Sequence, residues 1–296
     1  MKKIYELIPP LKEYIWAGEN LKKYKKTELG KISESRELSF LKGDETKLIY
    51  DNQEITISDF IEKEEIKKYI NPKLKNLLVK LIDSSQSLSI QVHPSDEYAL
   101  KYENSLGKTE MWIILEAEKD SYINLGFNKD VSKSNFPELI KDDSILKCLN
   151  KIYVKPGDVY LIKPGTIHAI GKGITLLEIQ ESSKLTYRVY DFNRVDNSGN
   201  KRELHVNKAM DVLNFSRLEV KNLKEEKEIK TEYFVVKGDV VNEEKEVEIS
   251  RASIITVIDG EGKIDELNVS KYKSYLILPS KKLFFKGRFK YFLTSV

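Results

Sequence analysis

Two of the three histidines in this 296-residue chain stand in short runs that look like strands: Leu88-Ser89-Ile90-Gln91-Val92-His93-Pro94 and Pro164-Gly165-Thr166-Ile167-His168-Ala169-Ile170. A third run, Gly107-Lys108-Thr109-Glu110-Met111-Trp112, offers a carboxylate. Imidazole nitrogen and carboxylate oxygen are donors for a borderline divalent cation such as zinc, and a catalytic site needs about three of them with one position left open. Gln91 and His93 are two residues apart, so an extended backbone points both side chains the same way. Ser89 joins them on that face, and Lys108 shares a face with Glu110. Gln91, His93, Glu110 and His168 therefore make a candidate donor set of two nitrogens and two oxygens. For any one of them alone, a plainer reading stands beside this one: a hydrogen-bonded sheet histidine, or an exposed glutamate.

Such residues need a framework, and the surrounding pattern predicts a β one. Residues 86–128 and 152–190 alternate apolar and polar positions, with Pro156-Gly157, Pro164-Gly165 and Gly171 to Gly173 as turns, the pattern of a sandwich or jelly roll. Helical spacing interrupts it near 58–82, where Ser58 or Asp59 is a plausible N-cap, and again near 132–150. A short amphipathic helix is expected around 206–213, with His205 at its start and no ligand-like neighbours. From Lys224 to Glu232 every position is charged except Ile229 and Thr231, which reads as a solvated boundary. Beyond it come short apolar strands. The expected division is a metal-binding unit over 1–220 and a smaller all-β domain over 221–296.

Composition narrows the partners. The 50 basic and 47 acidic residues are mixed along the chain, which argues against a dedicated nucleic-acid surface and leaves room for a small anionic ligand. Cys148 is the only cysteine, so an internal disulfide and a thiolate metal cluster are both excluded and a reducing cytosol is the expected home. The first ten residues lack the apolar run of a signal peptide, and no stretch is long and apolar enough to span a membrane, so a soluble cytoplasmic protein is expected. Composition leaves the oligomeric state open.

The stretch Gly157-Asp158-Val159-Tyr160-Leu161-Ile162-Lys163-Pro164-Gly165-Thr166-Ile167-His168 resembles the second motif of the cupin superfamily of small β-barrels, in which the last histidine binds metal. Four runs taken in order, 88–99, 107–112, 165–170 and 178–194, more specifically resemble type I mannose-6-phosphate isomerase in its short bacterial form. The likeness covers most of residues 1–215 and extends weakly to Tyr14-Ile15-Trp16-Ala17-Gly18, Glu34-Ser35-Arg36-Glu37-Leu38-Ser39 and Arg202-Glu203-Leu204-His205-Val206. It implies a mainly β fold: a cupin-type jelly-roll barrel with helical insertions plus a smaller C-terminal all-β domain. It also implies one zinc ion per chain on Gln91, His93, Glu110 and His168, an essential Arg188, and Ser89 and Lys108 on the side of the substrate phosphate. Glu178 is expected either to orient a ligand or to contact the sugar. The family's usual Ser-Asp-Thr-Thr-Tyr-Arg reads Ser183-Lys184-Leu185-Thr186-Tyr187-Arg188 here, and Arg36 replaces a usual aromatic.

The implied reaction interconverts mannose 6-phosphate and fructose 6-phosphate by proton transfer between C1 and C2 through a cis-enediol(ate). Glu178, Lys108 and His93 are the candidate bases, with a ligated His93 the poorest. Two rivals remain open on the sequence: another metal-dependent cupin enzyme, since two histidines and a carboxylate also suit iron, and a cupin that binds a sugar phosphate without turning it over.

Overall fold

A computed structural model describes residues 2–195 and 199–296. The chain is built mainly of antiparallel strands in three sheets. A six-stranded sheet runs in the order Val159–Ile162, Glu110–Ala117, Ile174–Glu181, Leu77–Ser84, Glu34–Leu38, Leu11–Lys12. Opposite it lies a five-stranded sheet, Leu149–Tyr153, Tyr122–Phe127, His168–Ile170, Ile90–Val92, Tyr187–Tyr190. Trp112, Ile82 and Ile114 of the first sheet meet Ile123, Leu125 and Ile170 of the second in one buried cluster, closing one end of the barrel between them.

The central strands of the six-stranded sheet are buried on both faces, and this overturns one expectation. The run Leu77-Leu78-Val79-Lys80-Leu81-Ile82, placed in a helical insertion over 58–82, is the strand Leu77–Ser84. Helix ends earlier: Ile57–Ile61, Glu64–Lys67 and a 3-10 turn over Pro72–Asn76. Its N-cap is Thr56, whose hydroxyl accepts the Asp59 amide, rather than Ser58 or Asp59. A strand covered on both sides carries apolar residues at every position, so its period of two is hidden. Here Leu77, Val79 and Leu81 join one core cluster while Ile82 joins the cluster inside the barrel.

The second insertion holds the helix Phe136–Lys141 between 3-10 turns, and the strand Leu149–Tyr153 begins inside its expected range. The helix Asp96–Glu103, unforeseen within the β stretch, follows His93 directly and is capped by the Ser95 hydroxyl on the Tyr98 amide. Val206–Val212 forms the short helix expected there.

The third sheet takes nine strands, and it is not confined to the C-terminal residues. Its order runs Glu228–Lys230, Val235–Ile249, Ser280–Ser295, Ser253–Ile264, Ser274–Ile277, Ile4–Ile8, Lys47–Tyr50, Gln53–Thr56, with Leu267–Ser270 paired to Ser253–Ile264. Three of the short strands expected after 233 are in fact long arms, the 16-residue Ser280–Ser295 lying between one of 15 and one of 12. Their outer halves alternate charged and apolar side chains, so only every second residue registers as a strand signal. The division near residue 220 remains a proposal about which segment carries chemistry. One core cluster, with Tyr5, Leu7, Leu177 and Ile179 beside Phe234, Ile254 and Leu276, spans it. Among the described residues no helix is long and apolar enough to cross a membrane.

Candidate functional site

Strand register brings the donors together. Gln91 sits in the strand next to one edge of the five-stranded sheet, directly opposite His168 on one neighbour and Arg188 on the other. Glu110 comes from the facing sheet, opposite Gln180 of the adjoining strand. Gly165 makes the turn before His168 possible: it holds φ +80°, and a Cβ there would lie 2.8 Å from the Val212 carbonyl oxygen. One ligand atom from each of His93, Glu110 and His168 lies within 4.8 Å of the others. His168 Nε2 is 3.3 Å and His93 Nε2 3.6 Å from the two Glu110 oxygens.

Each imidazole is oriented from behind. His93 Nδ1 donates to the Leu185 carbonyl and His168 Nδ1 to the Thr166 carbonyl, both at 2.8 Å. With the proton on Nδ1, each Nε2 carries its lone pair toward Glu110. Gln91 Nε2 is 3.3 Å from His168 Nε2, and a half-turn of the amide presents its oxygen at the same place. His93 Nε2 and both Glu110 oxygens are buried without a hydrogen-bond partner among the described residues. Lys108 offsets part of that cost at Glu110 Oε2, but the cluster remains expensive to bury unless a further positive charge completes it. Burial pushes Glu110 up to about 7 and His168 down to about 4, and it takes His93 well below its ordinary value. Two neutral imidazoles and a carboxylate facing one point fit a divalent cation, so the residues present suit the zinc expected there.

A cleft of about 600 Å³ opens beside the donors, lined by Gln91 and Lys108, with His93, Glu110 and His168 buried behind them. Lys108 Nζ lies 3.2 Å from Glu110 Oε2. Glu178 is fully engaged: Oε1 accepts from Lys80 at 2.8 Å and Oε2 from the Trp112 indole at 3.0 Å. Burial would raise its pKa, but Lys80 and Lys108 outweigh that and hold Glu178 down at about 2. Burial likewise opposes the charge of Lys80, yet Glu178 and Glu34 keep it protonated and raise its pKa. Arg36 continues the ladder toward the rim, 3.1 Å from Glu34 and 2.7 Å from Asp44. Lys184, mostly exposed, ends it 3.8 Å from Asp44.

Ser89 lies just before the Ile90–Val92 strand, and Arg188, in register with Gln91, donates from Nε to Ser89 Oγ at 3.2 Å. His205 is placed behind Arg188 and away from the donors: its Nδ1 accepts the Arg188 amide and its own amide donates to the Arg188 carbonyl. Ser89, Gln91, Lys108, Glu178, Arg188 and His205 thus line one cleft, and His93, Glu110 and His168 are buried against Gln91 and Lys108. Lys80 was missed by sequence reasoning, though a lysine inside an unbroken apolar run is itself a signal of a buried, paired charge. Glu34, its second partner, sits in a strand whose polar residues are all buried.

No protein-family model matches the chain. Among curated proteins it is 37% identical over 216 residues to a mannose-6-phosphate isomerase of Streptococcus mutans, a match covering 69% of this chain and 68% of that one. It is 42% identical over 166 residues to a probable mannose-6-phosphate isomerase, GmuF, of Bacillus subtilis, where the match spans only 52% of the relative. A crystal structure of the mannose 6-phosphate isomerase from Bacillus subtilis superimposes over 100% of both chains with a TM-score of 0.89 at 28% identity. Sequence likeness across two thirds of the Streptococcus relative and a backbone shared from end to end with the Bacillus structure place the chain in the mannose-6-phosphate isomerase family.

Proposed function

We propose that the chain interconverts mannose 6-phosphate and fructose 6-phosphate, using one zinc ion held by His93, Glu110 and His168 with Gln91 as a fourth donor. The observation that carries this reading is the trio of buried ligand atoms on His93 and Glu110 that lack a hydrogen-bond partner among the described residues, beside a cleft rich in lysine and arginine. In the isomerisation a proton moves between C1 and C2 through a cis-enediol(ate), so negative charge builds on the sugar oxygens. Bound at these donors, the ion supplies Lewis-acid stabilisation of that charge and holds the sugar oxygens in register.

The chain's own groups do the rest. Lys80, kept charged by Glu178 and Glu34, is a fixed cation facing the cleft, and Arg188 is a second; preplaced charges of this kind stabilise developing oxyanions without reorganising. Of the three candidate bases, Glu178 has both oxygens occupied and His93 belongs to the donor set. Lys108 remains, with Nζ placed to handle the proton beside Glu110. A positioned acid or base contributes about a hundredfold to ten-thousandfold. Lys108 therefore belongs to the ligand end of the cleft and Ser89 to the phosphate end. A cytosolic location goes with this reading.

A coupled assay of fructose 6-phosphate formation from mannose 6-phosphate tests it. Turnover should vanish on chelation and return with zinc. Tight binding of the sugar phosphate without turnover would instead favour the non-catalytic cupin.

A further inference from the structure

The charges around the cleft are matched on one side and unmatched on the other. Lys108 faces Glu110, Lys80 faces Glu178 and Glu34, and Lys208 lies 2.7 Å from Glu103. At the Ser89 end, a single buried carboxylate, Asp191, serves two guanidinium groups. Arg202 reaches it with a two-pronged contact, Nε to Oδ2 at 2.7 Å and Nη2 to Oδ1 at 2.5 Å, and Arg194 Nη2 shares Oδ1. Arg188, beside them, donates only to neutral acceptors, Ser89 Oγ at 3.2 Å and the Glu203 carbonyl at 3.0 Å. Among the described residues no carboxylate oxygen lies within 4 Å of its guanidinium. Burial, and after it the charge of Arg202, hold Arg188 below its ordinary value, which is the cost of the crowding.

Among the described residues, Asp191 is the one carboxylate in contact with these three guanidinium groups, Glu203 acts on Arg188 only from further off, and both Arg188 and Arg202 line the cleft. A phosphate monoester carries about two negative charges near neutral pH, and planar arginine forks match its oxygens in pairs. Arg194 adds rigidity: its Nη1 donates to the Ser87 carbonyl at 2.6 Å, fastening the loop that leads into Ser89.

We propose that Arg202, with Arg188 and Ser89, seats the phosphate of the substrate, and that Asp191 is a positioning residue that aims the Arg202 fork. This rests on the isomerase reading for the identity of the substrate, and on the local charge imbalance for the anion. It gives the phosphate end to Arg202 and Ser89 and the reacting end to the donor cluster and Lys108, with Arg188 between the two, in register with Gln91 and bonded to Ser89.

The test uses the zinc-loaded full chain, with mannose 6-phosphate as substrate and inorganic phosphate as competitive probe. Arg202→Ala should raise KM and the phosphate inhibition constant about ten- to a hundredfold, with a smaller change in kcat. Arg202→Lys should recover only part of this, because the ammonium keeps the charge and loses the fork. Asp191→Asn separates aiming from charge balance. If Asp191 only neutralised its neighbours, removing its charge would tighten phosphate binding; the proposal requires weaker binding. Arg202 is partly exposed, so its variants are expected to fold, and thermal unfolding with and without inorganic phosphate checks this directly. KM and inhibition constants within twofold of wild type in Arg202→Ala overturn the proposal. Should the wild type bind phosphate through Arg202 yet fail to isomerise the sugar, the anion wall stands and the isomerase reading falls.

Discussion

His93 and His168 show how much of a metal ligand lies outside its own side chain. The Leu185 and Thr166 carbonyls fix which nitrogen carries the proton, and without them either ring could turn its donor away from Glu110. Arg188 is the residue on which the proposed chemistry leans most heavily without touching the donors. Arg188→Ala should lower kcat by orders of magnitude while the zinc content of purified protein stays unchanged. Retained turnover would remove its catalytic role, and lost zinc would reassign it to structure. The donors were legible because histidine is so scarce here and because residues two apart in a strand share a face. Lys80 and Arg202 were not. Lys80 hid inside an apolar run, and the role of Arg202 depends on Asp191, eleven residues away in sequence and brought to it only by the fold.

At the scale of elements, the pairing of Ile174–Glu181 with Glu110–Ala117 fixes the Glu110 end of the site, and Glu181 fastens that pairing where it begins. Its Oε2 accepts the Thr109 amide at 2.6 Å. Burial, eased by that amide and reinforced by Asp96, pushes Glu181 up to about 7 from an ordinary value of 4.5. Between those pH values the folded chain holds a proton that the unfolded chain has released, so stability must fall as pH rises through the window. Denaturant unfolding of wild type should show that decline, about 3 kcal/mol in full, and Glu181→Gln should flatten it. Equal slopes in the two proteins would show that Glu181 is not the source. The elements flanking the site were readable where one face is wet. They were misread where both are dry: Leu77–Ser84 looked helical because its solvent-facing positions do not exist.

At the scale of the whole molecule, the segments before and after residue 220 are not independent halves. The strand Ile4–Ile8 pairs with Ser274–Ile277, and the cluster that backs the six-stranded sheet includes Phe234, Val236 and Leu278. A fragment of residues 1–220 should therefore lose cooperative unfolding even though it contains every proposed ligand; a sharp transition in that fragment, seen by circular dichroism on heating, would show the C-terminal strands to be dispensable. This tie was invisible in sequence, where the charged stretch from Lys224 to Glu232 looks like a boundary, because long-range strand pairing leaves no local mark.

The account turns on three side chains sharing one cation, and the most direct measurement is a zinc titration of chelated full-length protein with turnover of mannose 6-phosphate read at each addition. The account predicts activity rising in proportion to zinc and levelling at one equivalent per chain, with no activity at any zinc level in His168→Ala. Full turnover in the metal-free protein, or an unchanged titration in that variant, would contradict it.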